Sequence, residues 1–160
     1  MSGLVAYEYA LLRVVPRVER GESMNAGVLL HCRARDVLAV RVHLDRARLA
    51  ALDPAADADA VDELLATVAA VAAVPEPPRS DRHATGALAA RGPGAGEDIG
   101  RRFRRLTTAR STIVCPGPVH TGLTADPAAE AERLLARLVL PLSQDTAPAG
   151  APGTHDGAAR

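Results

Sequence analysis

The sequence predicts an α+β fold: an antiparallel sheet of three to four strands, opened by an N-terminal meander and covered by amphipathic helices. Three observations carry this reading. Strand-like runs follow one another up to Leu44 with connections too short for a crossover helix, so neighbouring strands must run antiparallel. Two later segments repeat apolar residues at the helical period, each near an Asp-Pro or Asp cap signal. The core they share has to be aliphatic, because Tyr7, Tyr9 and Phe103 are the only aromatics in a chain whose hydrophobic fraction is 48%.

Taken in order, Tyr7–Val15 alternates as a first strand and ends at Pro16, which has no N–H to give a central ladder. A charged connection over Arg17–Ser23 leads into Met24–Arg33, the most apolar run, and a turn at Ala34–Arg35 into a third strand, Asp36–Leu44. Leu44-Asp45 opens a short helix, and Asp53-Pro54 reads as a helix start, with Asp as cap and Pro at the first position. From Asp57 to Val74 the residues Val61, Leu64, Leu65, Val68, Val71 and Ala72 make one helical face, and Pro75, Pro77 and Pro78 stop it. Residues 75–98, rich in Pro, Gly and Ala, read as a mobile loop, and Glu97–Leu106 as a short basic helix. Ser111–Cys115 reads as a fourth strand bounded by Pro116 and Pro118. Asp126-Pro127 launches a last helix with Ala131, Leu134, Leu135, Leu138 and Val139 inward and Glu130 paired with Arg133 outside. The expected organisation is one domain over 5–142, with 143–160 a disordered tail.

The 19 basic residues are all arginine. Without lysine the chain has no Schiff-base nucleophile, no phosphate-loop lysine and no Ser–Lys dyad, and arginine stays protonated and replaces none of them. A net charge of zero argues against wholesale binding to nucleic acid or anionic membrane. Cys32 and Cys115 each sit in an apolar run and read as free thiols, with no spacing that suits a metal. No signal peptide and no apolar run near the ~20 residues of a membrane span is evident, so the expected compartment is the cytoplasm. No metal and no cofactor is expected.

Three polar constellations stand out. In Arg17–Gly27, Gly21 suggests a tight turn and Gly27 a bulge or close backbone approach, with Glu19, Glu22 and Asn25 projecting from the turn. The plainer reading is a hairpin laced by Arg–Glu pairs. On the sheet, alternation places Arg13, His31, Arg33, Arg41 and His43 together on a second face, either as an anion platform or as an ordinary solvated surface. In the C-terminal half, Arg101, Arg102, Arg104 and Arg105 around Phe103 form a candidate anion patch, and Arg110 and His120 lie just beyond. His120, Asp126 and Ser111 match a catalytic triad by residue type only, since no nucleophile elbow precedes Ser111 and Asp126 is already needed as a helix cap.

The runs Tyr7-Glu-Tyr-Ala-Leu-Leu-Arg-Val-Val-Pro-Arg17, Arg20-Gly-Glu-Ser-Met-Asn-Ala-Gly-Val-Leu-Leu30 and Cys32-Arg-Ala-Arg-Asp36 resemble the bacterial domain-of-unknown-function family 3037. Arg110-Ser-Thr and His120-Thr-Gly-Leu-Thr-Ala-Asp-Pro127 are similar to its C-terminal pattern, so the likeness spans about residues 5–140. The resemblance assigns no catalytic residue; it implies a short stand-alone protein of a kind in which some members neighbour genes for HipA-like kinases.

Together these features favour a non-catalytic accessory or regulatory protein that binds a macromolecular partner, a HipA-like kinase being the partner the resemblance implies. The second reading is an enzyme or binding protein for a phosphorylated or otherwise anionic substrate, with Arg13, Arg17, Glu22, Asn25, Arg110 and His120 as its site. Nucleic-acid binding through the arginine patch comes third. The oligomeric state is left open.

Overall fold

The computed structural model describes residues 3–74, 98–110 and 112–142; the expected loop, apart from Asp98, and the expected tail lie outside them. The elements in chain order are β1 (Val5–Val14), β2 (Met24–Cys32), β3 (Val37–Val42), α1 (Arg46–Leu52), α2 (Ala58–Ala73), α3 (Ile99–Leu106), β4 (Val114–Thr124) and α4 (Pro127–Leu138). One 3-10 turn, Arg33–Arg35, joins β2 to β3, and Asp36 closes it at φ 52°, a left-handed conformation that Asp tolerates better than most residues.

The four strands form one antiparallel sheet in the order β3-β2-β1-β4. The meander is therefore as expected, and the fourth strand adds beside the first. Leu12 pairs with Gly27 but Arg13 pairs with Asn25, which leaves Ala26 as the extra residue of a β-bulge. The bulge reverses the alternation of β2 at its start. Met24 thereby joins Val14 and Leu12 in the core, while Asn25 turns to the other face with Arg13.

Both faces of the sheet are covered. On the first, Leu12, Val14, Met24 and Leu29 pack against Leu49 of α1, Val61 and Leu65 of α2, and Phe103 of α3. On the second, Tyr7, Val28, Leu30, Cys32 and Ala39 pack against Ala131 and Leu134 of α4 and against Val139. Burying each Leu or Val contributes about 1.5–3 kcal/mol, so two aliphatic layers suffice without aromatic bulk.

This arrangement overturns the expected polar face. His31 pairs with Leu38 and lies on the first face, whereas Arg41 pairs with Val28 and lies on the second. Arg33 belongs to the turn. His31 is 6% exposed, stacks on Phe103 at 5.3 Å between ring centroids, and sets its Nδ1 3.4 Å from the Glu8 carboxylate. Its place is under α3, and Arg41 is ion-paired with Glu132 of α4.

Two further expectations are corrected. Asp53 does not start a helix; it follows the last residue of α1, accepts from the Ala55 N–H and binds Arg17, and α2 begins later with Asp57 as its cap. The fourth strand does not stop at Pro116 but runs on through Pro118 to Thr124. Proline withholds one ladder N–H, which an edge strand tolerates, and β4 is an edge. The helix starts at Asp57, Asp98 and Asp126 are all carboxylate-capped, with Asp126 accepting from both Ala128 and Ala129.

Candidate interaction surface at the outer strand

β4 is the part of the sheet that the helices leave most open. Pro118, Val119, His120, Thr121 and Leu123 are exposed along it. By register Val119 pairs with Ala10 and Leu123 with Ala6, which puts both on the first face, beyond the reach of α1–α3. Leu4, at the entry to β1, continues the same alternation. Leu4 is 67% exposed, Leu123 65% and Val119 44%, and Ala6 between them is exposed too. Isolated exposed apolar residues are ordinary; Leu4, Ala6 and Leu123 adjoin on two paired strands, and Val119 continues the row beyond the Glu8–Thr121 pair.

β4 itself contributes no charge here; the carboxylate on this face is that of Glu8 on β1, which pairs with Thr121 and is turned toward His31. From Ser111 through Ala125 the sequence has no Asp, Glu, Arg or Lys, the longest such stretch in a chain that is 24% charged. Edge strands are normally protected by charges, bulges or prolines. Here Pro116 and Pro118 protect the first half of β4, and Val119–Thr124 carries no such device.

The second face of the same two strands is polar and tightly fixed. Tyr7 pairs with Gly122 and its ring occupies the space above that glycine. The Tyr7 hydroxyl donates to Glu130 at 3.1 Å, and Glu130 also accepts from Arg133, whose guanidinium reaches Thr124. Burial first, and then the Glu130 carboxylate, push the Tyr7 hydroxyl above its ordinary pKa. Burial would raise Glu130, but hydrogen bonds from Arg133 and Tyr7 outweigh it and hold the carboxyl low. Tyr9 lies beside His120, with ring centroids 5.2 Å apart.

The structure gathers some of the sequence-predicted site residues and scatters others. Arg13, Asn25 and His120 share the second face on β1, β2 and β4. Asn25, however, donates to the Leu138 carbonyl at 3.0 Å and so closes the end of α4. Arg13 lies along Gly117, where a Cβ would stand 3.2 Å from its Nε. Arg17 is taken by Asp53, with Nε 3.0 Å from Oδ2. Glu22 is held by Arg20 in the exposed hairpin, which lowers its pKa. Arg110 donates to the Arg105 carbonyl and lines a separate hollow of about 370 Å³ with Val15 and Cys115. The six residues do not form one site.

The arginine patch is also divided. Arg102 is 1% exposed, and its guanidinium donates to the Ala72 and Val74 carbonyls at the end of α2. Arg101 pairs with the capping Asp98, leaving Arg104 as the exposed member of the inner pair. Arg102 alone turns into the core, whereas Arg101, Arg104 and Arg105 lie at i, i+3 and i+4 on the outer side of α3. Among the described residues no group of three or more His, Cys, Asp or Glu side chains could hold a metal ion. Cys32 is buried and Cys115 half-buried, both as free thiols.

A family model described as "Protein of unknown function (DUF3037)" matches residues 9–139. The chain belongs to this family. The DUF3037 match takes in three complete strands, most of β1 and all four helices, and it ends at the residue that follows α4. Val119 and Leu123 fall inside it, whereas Leu4 and Ala6 precede it. No curated protein and no solved structure matches the chain. Among the described residues no helix is long and apolar enough to cross a membrane.

The open flank escaped sequence reasoning because its residues carry no chemistry of their own. Its signal was the uncharged run between Arg110 and Asp126, which reads as an interior segment until β4 is known to be an edge.

Proposed function

We propose that this DUF3037 protein is a non-catalytic accessory protein of the cytoplasm that binds a protein partner on the open apolar part of its first sheet face. The observation that supports this reading is the exposed apolar side chains of Leu4, Ala6, Val119 and Leu123 along an edge strand that carries no charge of its own. Covering one such leucine contributes about 1.5–3 kcal/mol, so two or three of them supply the centre of a modest interface. A HipA-like kinase is the first partner to try, as the family resemblance implies.

The test uses purified protein and kinase in a titration. Leu123→Asp and Leu4→Asp should each weaken the complex at least tenfold. Val18→Asp, at an exposed apolar residue of the β1–β2 connection, should leave it unchanged. Equal affinity for all variants would remove the patch from the reading.

A second reading, binding of a small organic anion, is favoured by one observation. Arg48 of α1 and Arg137 of α4 line a hollow of about 480 Å³ beside Asn25, and no described carboxylate lies within ion-pair distance of either guanidinium. Thermal stabilisation by millimolar citrate that Arg137→Gln abolishes would support it; no shift with citrate would end it.

A further inference from the structure

We propose that the free edge of β4 pairs with β4 of a second copy of this chain, antiparallel across a two-fold axis at Thr121, to make a continuous eight-stranded sheet. This builds on the reading of the flank as a contact surface and names what occupies its edge.

The argument begins with what the edge can pair with. A strand that meets itself across a two-fold axis sets residues equidistant from the axis opposite one another, so any charge near the centre confronts its own like. Val119–Leu123 contains no carboxylate, guanidinium or ammonium. With the axis at Thr121, Val119 stands opposite the second copy's Leu123 twice over, apolar against apolar on the first face. His120 stands opposite Gly122, the bulkiest side chain of the segment against the one position without any. Thr121 meets Thr121, a cross-strand pair that two hydroxyls favour.

Three features of the fold restrict the association to this register and to two copies. Pro116 and Pro118 withhold N–H groups from the first half of β4, so pairing is confined to the segment after them. The opposite edge of the sheet is β3, which carries the charged Arg41 with its guanidinium on the Val40 carbonyl, so among the described residues β4 is the edge without a charge of its own. An isologous contact consumes that edge in both copies, and growth stops. At about 4.8 Å per strand, β1-β4 joined to its copy sets the two rows of apolar side chains on one surface roughly 14 Å across, with the Glu8–Thr121 pairs of both copies along its middle.

The full chain has a mass of 16.6 kDa, so light scattering across 1–200 µM should report twice that value at the upper concentrations. Thr121→Arg places two guanidinium groups at the axis on an exposed position and should raise the dimer dissociation constant at least tenfold, with the circular dichroism spectrum unchanged. Thr121→Cys should form a covalent dimer on mild oxidation, whereas Val119→Cys should do so only when mixed with Leu123→Cys. A wild type that stays at the monomer mass at 200 µM, or a Thr121→Arg dimer as tight as the wild type, overturns the proposal. Leu4→Asp separates it from the partner reading, because it lies off the edge: it should keep the dimer and lose the partner. A monomeric wild type whose partner binding is still lost in Leu4→Asp would sink the dimer alone.

Discussion

The Tyr7 ring lies over Gly122 so closely that a Cβ on the glycine would stand 2.5 Å from the phenol carbon and oxygen. Real side-chain carbons do not approach that near, so any other residue at position 122 has to move the ring. Tyr7 is not free to move, since its hydroxyl is tied to Glu130 and its body is buried against α4.

Gly122→Ala is therefore expected to destabilise the fold by about 1–3 kcal/mol, the usual cost of overpacking. Pairing it with Tyr7→Leu, which clears the space, should recover more than half of that loss. Denaturant unfolding of the two single variants and the double variant measures the coupling. Additive effects would show that the ring yields without cost.

How far the sequence discloses this architecture can be argued from single residues. Strands with strict alternation and helices with an Asp cap were legible, and Asp126-Pro127 shows why: its carboxylate finds the N–H groups of Ala128 and Ala129 next to it in the chain. Asp53-Pro54 presents the same pair of residues and misleads, because Arg17, distant in sequence, engages that carboxylate and the backbone turns instead. Alternation puts His31 and Arg41 on one face because alternation within a strand says nothing about register between strands. Pro116 reads as a terminus because proline ends central strands, and only the sheet order shows β4 to be an edge.

Gly27 offers a second packing test. A Cβ there would lie 2.8 Å from the Arg41 carbonyl oxygen and 3.1 Å from both Leu12 and Val42. The first contact is with backbone, which cannot rotate away. Gly27→Ala should part β2 from β3 and cost at least about 2 kcal/mol, more than the same change at Gly122. Hydrogen exchange at the β2–β3 ladder should rise in this variant while the β1–β4 ladder holds. Uniform loss of protection would contradict the local account.

Arg102 provides a prediction about the arginine patch. Its guanidinium serves two carbonyls at the end of α2, and removing it leaves the buried Ala72 carbonyl without that donor, at about 1–3 kcal/mol. Arg102→Ala should lower the thermal midpoint clearly, whereas Arg104→Ala, at an exposed position, should change it little. A midpoint that responds equally to both substitutions would show that Arg102 is not the residue joining α3 to α2.

Acid sensitivity follows from the depressed carboxylates. Asp98 is held below its ordinary value of 3.8 first by the Arg101 N–H it caps and then by the charges of Arg101 and Arg104. Asp53 is held low chiefly by the Ala55 N–H, opposed by burial, with Arg17 adding to the lowering. A folded-state pKa below the unfolded one means that the unfolded chain takes up more protons on acidification. The stabilisation is fully present above the unfolded value and disappears as pH falls through the folded one. Asp98→Asn separates charge from geometry, because Asn caps a helix about as well as Asp but does not titrate. The wild type should be the more stable at pH 7, and the gap should close as the pH is lowered past 3.8 toward 2, read as the difference in thermal midpoint. Asp98→Ala, which loses the acceptor as well, should stay about 1 kcal/mol less stable than Asp98→Asn throughout. A wild-type advantage over Asn that persists undiminished at pH 2 would mean that the Asp98 charge is not what stabilises the start of α3.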